Sequence, residues 1–180
     1  MQAHIFAEGS NTTADSRDKP VKQYYEGLFS IVSGLDDDLS ELTESHLHIL
    51  TEDFGVLGAE EKISAVAETT QTPVGPEKMT EQAREELLSV AAEADVMVIL
   101  LSTDVFQNTV TEVWDELVDG AKPESIWCLG AARSSLDGLD FDSLKSKGCT
   151  VLTYRRVGVA RIGSDTREEL METVEQRATH

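Results

Sequence analysis

Asp95-Val96-Met97-Val98-Ile99-Leu100-Leu101 is the stretch on which the fold turns. The run is continuous in apolar residues, rich in Val and Ile, and bounded on both sides by polar positions. A strand with one wet face alternates, whereas an unbroken run of this kind is covered on both faces, as in the middle of a parallel sheet. Just upstream, Ala83, Leu87, Leu88, Val90, Ala91 and Ala94 recur on the apolar side of a helix over Thr80–Ala94. Just downstream, Ser102 or Thr103 caps a helix that carries Phe106, Val110, Val113, Trp114 and Leu117 to Gly120.

The alternation continues in both directions. Toward the C-terminus, Ser125–Leu129 reads as a strand closing on Gly130 and Phe141–Lys147 as a weaker helix ended by Gly148. Cys149–Tyr154 is a further strand, and Thr166–Arg177 a last amphipathic helix capped by Asp165. Toward the N-terminus, Gln2–Glu8 is a first strand that runs into a turn at Gly9-Ser10-Asn11. Pro20 opens a helix over Val21–Val32 that Gly34 ends, with one more short turn at Asp38–Leu42. Leu47–Thr51 is the second strand, Phe54–Gly58 a loop, 59–67 a short helix, and Thr69–Pro76 a connection rich in turn residues. Strands alternating with helices predict one three-layer α/β domain over 1–180. Its sheet is mainly parallel, of about five strands, with helices on both faces in a Rossmann-like arrangement.

Composition narrows the class. The chain is 40% hydrophobic and 27% charged, which supplies a core and argues against a disordered chain. Val96–Leu101 is the longest apolar run and is far too short to span a bilayer. Met1-Gln2-Ala3-His4-Ile5-Phe6 lacks a basic start followed by an apolar segment, so a cytoplasmic protein without a secretory signal is expected. The 34 acidic residues outnumber the 15 basic ones and leave a net charge of −19, with only seven lysines. The acids are dispersed (Asp36-Asp37-Asp38, Glu60-Glu61, Glu85-Glu86, Glu168-Glu169) rather than collected in a tail. That pattern is similar to the acidic proteins of halophilic archaea, whose carboxylates keep them hydrated in molar salt, where the Debye length is about 3 Å.

In a sheet of this kind ligands bind beyond the carboxyl ends of the strands, near a switch in strand order. The candidate positions are therefore Glu8–Asn11, Thr51–Gly55, Ser102-Thr103, Gly130–Arg133 and Tyr154–Arg156. Glu8 and Glu52 each fall just past a strand, where a pair of acids could serve acid–base chemistry. Gly130-Ala131-Ala132-Arg133-Ser134-Ser135 joins small residues to a guanidinium suited to a phosphate or carboxylate. Tyr154, Arg155, Arg156 and Arg161 form a basic island in an acidic chain, suited either to a phosphate backbone or to pairing with neighbouring carboxylates. His46 and His48 would point to one face of a strand, but no third ligand has matching spacing and no metal is expected. Cys128, beside Trp127 in an apolar strand, reads as a buried structural thiol. The chain has none of the sharp phosphate-loop, dinucleotide, zinc-protease or nucleophile-elbow patterns.

Three stretches together resemble an uncharacterised α/β family related to the YaaA-like peroxide-stress proteins. They are Lys19-Pro20-Val21 with Tyr24 or Tyr25 and Phe29; His48-Ile49-Leu50-Thr51-Glu52-Asp53-Phe54-Gly55-Val56-Leu57; and Glu60-Glu61-Lys62-Ile63. The Val96–Leu101 strand and a Val157–Gly163 turn before the last helix agree in order. The chain departs from that pattern at Glu8-Gly9-Ser10-Asn11, which lacks the usual early lysine, and at Asp53, where a lysine is usual. The resemblance implies a link to nucleotide or nucleic-acid metabolism and stress response, and no defined reaction.

Two readings result. In the first, the protein handles a small nucleotide or nucleoside and acts at an N-glycosidic bond. Ser10, Asn11, Thr51, Phe54, Gly55 and Ser102 would line the substrate site, Glu8 or Glu52 would be the acid–base group, and Arg133 would hold phosphate. In the second, it is a non-catalytic nucleic-acid- or protein-binding domain that uses Tyr154–Arg161. Neither implies a cofactor or a membrane, and both leave the oligomeric state open.

Overall fold

The computed structural model describes residues 1–8, 29–51, 55–58, 75–131, 133–155 and 164–178. The decisive apolar run is a strand, β4 (Val96–Leu100), and all five of its residues are buried. Beside it lie β1 (Gln2–Glu8) and β5 (Ile126–Ala131), both parallel to it. Outside these come β2 (Glu44–Thr51) next to β1 and β6 (Thr150–Arg155) next to β5, also parallel. A short sixth strand, β3 (Gly55–Gly58), runs antiparallel to β2 and closes one edge. The sheet order is β3-β2-β1-β4-β5-β6. The chain thus winds outward one way from β1 and the other way from β4, which puts the topological switch point between those two strands.

Two apolar layers cover the sheet. On one face Ala3, Ile5, Ala7, Leu47, Ile49, Val96, Val98 and Leu100 pack with Leu35 and Leu39 of α1 (Phe29–Ser40) and Leu170 and Val174 of α7 (Ser164–Ala178). The other face carries Phe6, Leu50, Met97, Ile99, Trp127 and Leu129. It is covered by α2 (Pro76–Ala91), α3 (Thr103–Phe106), α4 (Trp114–Gly120), α5 (Arg133–Asp137) and α6 (Asp142–Ser146). The result is the expected three-layer α/β architecture, with both faces of the central strand buried. Cys128 is fully buried in it, and burial pushes its thiol up to about 12.

The structure departs from the sequence reading at several joints, each for a local reason. The stretch expected as a loop at 55–58 is β3. Gly55 turns the chain at φ 81, the Thr51 hydroxyl donates to its carbonyl at 2.9 Å, and the Val56 N–H donates to Gln82 Oε1 at 3.1 Å. The helix expected from Thr80 starts at Pro76, because a proline in the first turn lacks only an N–H that has no helical acceptor. Helix α1 does not end at Gly34 but runs through it to Ser40. The Arg167 guanidinium of α7 lies over Gly34 and pairs with Asp38, tying that turn into the helix from outside.

The single helix expected from Ser102 to Gly120 is interrupted by a π turn at Gln107–Thr111. There the buried Thr109 hydroxyl donates to the Val105 carbonyl at 2.6 Å, occupying an acceptor of the helical ladder. Strand β5 runs to Ala131, and Arg133 opens the short helix α5 in place of a turn. The helix and connection expected at 59–67 and 69–74, the first part of the 21–32 helix and the 157–163 turn lie outside the described residues. Among the described residues no helix is long and apolar enough to cross a membrane.

Candidate functional site

Parallel pairing brings the carboxyl ends of the strands to one edge. Glu8 closes β1 opposite Leu50, one residue before Thr51. Ala7 pairs with Leu100 of β4, so Glu8 and Leu101 are level and Ser102 comes next. Gly130 pairs with Tyr154, and Ala131 with Arg155. Across the edge the order is therefore Gly55 and Thr51, then Glu8, Ser102, Arg133, and Tyr154 with Arg155. With strands about 4.8 Å apart, Tyr154 and Arg155 sit three strands, or roughly 14 Å, from β1.

At the switch point the two central ends are joined. The backbone N–H of Ser102 donates to Glu8 Oε1 at 2.6 Å. Ser102 has extended backbone angles (φ −65, ψ 163) as the N-cap of α3, and its carbonyl accepts from the Phe106 N–H at 2.8 Å. Its side chain makes no capping bond, so the Ser102 feature that matters is its amide rather than its hydroxyl. Among the described residues Glu8 Oε2 has no hydrogen-bond partner, and the carboxylate is half-buried. One oxygen is thus positioned by backbone.

The other predicted residues divide. Thr51 is buried, and its hydroxyl is spent on Gly55, so both belong to the β2–β3 turn. Arg133 opens α5 and Tyr154 and Arg155 end β6, which places their backbones on the same edge as Glu8. Ser10, Asn11, Glu52, Phe54, Arg156 and Arg161 lie outside the described residues. Ser135, in α5, is buried, and its hydroxyl has no partner among the described residues. A hollow of about 280 Å³ lined by Glu112, Trp114, Asp115, Glu116 and Asp140 opens elsewhere and includes neither Glu8 nor Ser102.

Sequence reasoning passed over His4. Register sets it opposite His46, and its ring centre is 5.0 Å from that of His46 and 5.2 Å from that of His48. The signal was there in the period of two along β1, where Gln2, His4, Phe6 and Glu8 share one face. His48 is not a surface residue: its side chain is 14% exposed, and it stacks on Phe6 at 4.5 Å. Burial, then the neighbouring His4 and His46, lowers His48 to about 4; burial and His46 lower His4. Among the described residues no group of three or more His, Cys, Asp or Glu is arranged to hold a metal.

No protein-family model and no curated protein matches the chain. Among solved structures, it is similar to a diflavin flavoprotein A3 from Nostoc sp.. The two share 9% identity at a TM-score of 0.43, over 99% of this chain and 95% of that one.

Proposed function

We propose that this α/β protein binds a nucleotide or nucleoside in the crevice beyond β1 and β4 and acts at its N-glycosidic bond through Glu8. The observation that carries the reading is the Glu8 carboxylate held by the Ser102 amide at the switch point. Crevices at that place in open α/β sheets are where ligands settle. A carboxylate with one oxygen fixed by a backbone N–H suits general acid–base work. In hydrolysis, the bond from sugar carbon to base nitrogen breaks and water oxygen forms the new bond to that carbon. The water proton passes through Glu8 to the departing nitrogen. A phosphate on the ligand is the partner we assign to Arg133, which opens α5 two strands along the same edge. The resemblance of 48–57 to the YaaA-like family supports the same class of ligand.

The test is thermal unfolding in molar KCl with nucleosides, nucleotides, phosphoribosyl donors and short oligonucleotides, followed by a base-release assay. A ligand at a hundredfold excess over Kd stabilises the fold by about 2.7 kcal/mol. A small nucleotide or nucleoside should raise the midpoint, and Glu8→Gln should keep that shift while abolishing base release. A shift with oligonucleotide alone would overturn the reading in favour of the Tyr154–Arg161 segment.

A further inference from the structure

The layer between the sheet and α2 contains a line of polar groups that the proposed crevice does not use. His4 Nδ1 and His48 Nε2 are 3.0 Å apart. Beyond them, His4 Nε2 faces Gln2 Oε1 at 3.4 Å, and His48 Nδ1 faces Glu86 Oε1 of α2 at 3.5 Å. The ring centres are 5.2 Å apart with planes inclined by 20°. That separation is close to the most a 3.0 Å nitrogen contact allows, so the contact lies along the line of centres and in the plane of both rings. A metal ion between lone pairs in line would need about 4 Å, two bonds of about 2 Å each. A proton fits this gap and a metal does not.

Glu86 sets the direction of the chain. Its charge draws the His48 proton to Nδ1, which leaves His48 Nε2 bare and makes His4 Nδ1–H the donor between the rings. The neutral line therefore donates from His4 to His48 and on toward Glu86. His4 Nε2 is the one basic nitrogen left in the line, and a proton added there donates to Gln2 Oε1, which already faces it at 3.4 Å. A second proton has only His48 Nε2 to occupy, and two N–H groups cannot face each other across 3.0 Å.

We propose that His4 and His48 form a one-proton site beneath α2: the pair takes a first proton with its chain intact, and a second only by separating the rings. The second proton acts as a latch release, because it breaks the contact between His4 and His48 and drives the rings apart beneath α2, while the His48 Nδ1–H stays on Glu86. Among the described residues the other charges facing the pair are His46 and Glu44 on β2 and Glu93 just beyond α2. Gln2 is held in place by its own backbone, whose N–H donates to Asp95 Oδ2 at 2.8 Å.

The experiment is nitrogen NMR of the imidazoles in the full ¹⁵N-labelled chain from pH 8 to 4 in molar KCl, with amide exchange read in parallel. His4 should charge first, while His48 keeps a proton on Nδ1 and a bare, hydrogen-bonded Nε2. His48 should charge only at a hydrogen-ion activity at least about tenfold higher, and protection of the β2 and α2 amides should fall at that second step. Charging of both rings together, of His48 first, or with β2 and α2 protection unchanged, would overturn the proposal. Glu86→Gln, a half-exposed change, should shift the His48 proton toward Nε2; an unchanged tautomer would also overturn it. Displacement of the pair's proton by added zinc at neutral pH would replace a proton site with a metal site.

Discussion

The amide of Ser102 and the carboxylate of Glu8 meet at 2.6 Å although 94 residues separate them in the chain. The contact joins the two strand ends between which the winding of the sheet reverses. It does so with a backbone donor, whose position is set by the β4-to-α3 junction rather than by a rotatable side chain. A carboxylate held in this way is pre-oriented at the carboxyl edge of the sheet.

Removing that carboxylate should be felt in stability as well as in function. Glu8→Ala leaves the Ser102 N–H without its charged acceptor, at a cost of about 1 kcal/mol for a half-buried group. Glu8→Gln keeps an acceptor and should recover most of it. Urea unfolding of the two variants checks the order; equal losses would mean that the contact contributes little.

Lys147 is a structural cation. Its Nζ donates to the carbonyls of Val118, Asp119 and Ala121 at 2.7, 2.8 and 3.0 Å, which satisfies the C-terminal end of α4 where the helix dipole is negative. Lys147→Ala should cost about 1–2 kcal/mol, seen as a lower urea midpoint with an unchanged slope.

His48 makes the fold acid-sensitive. Its pKa is lowered from 6.5 in the unfolded chain to about 4 in the folded protein, so the unfolded chain takes up the proton first. The stability this contributes at neutral pH is lost as the pH falls from about 6.5 to about 4, a total near 3 kcal/mol. Wild type should therefore lose about 2–3 kcal/mol more than His48→Gln between pH 7 and 4.5. Urea midpoints of both proteins at the two pH values measure the difference, and parallel losses would refute it.

Two glycines should respond in opposite directions. A Cβ at Gly34 would meet only the end of the flexible Arg167 side chain, at 3.7 Å, so Gly34→Ala should stabilise α1 by about 0.5–1 kcal/mol. At Gly55, with φ 81, a Cβ would fall 2.2 Å from Gln82 Oε1, which itself accepts from Val56. Gly55→Ala should cost about 1–3 kcal/mol. Thermal or urea unfolding of the pair reads both signs.

Periodicity made the frame legible: the buried run at 96–100, the flanking helices and the alternation that forces a parallel sheet were all in the residue pattern. So was the sharing of one face by His46 and His48, since strand geometry has a period of two. Local pattern failed where a distant group made the decision. Gly34 reads as a helix end until Arg167 and Asp38 close over it, and Gly55 reads as loop until β2 and Gln82 supply its partners.

The sequence by itself determined the class of fold, because burying both faces of an apolar strand depends on composition and spacing alone. It also placed Glu8, Ser102, Arg133 and Arg155 just after or at the ends of strands. Only the tertiary structure decided which of those ends are neighbours, since strand order is a property of the wound chain and not of any segment. The same holds for His4, which becomes half of a proton-sharing pair only when β1 and β2 align in register and α2 brings Glu86 across them.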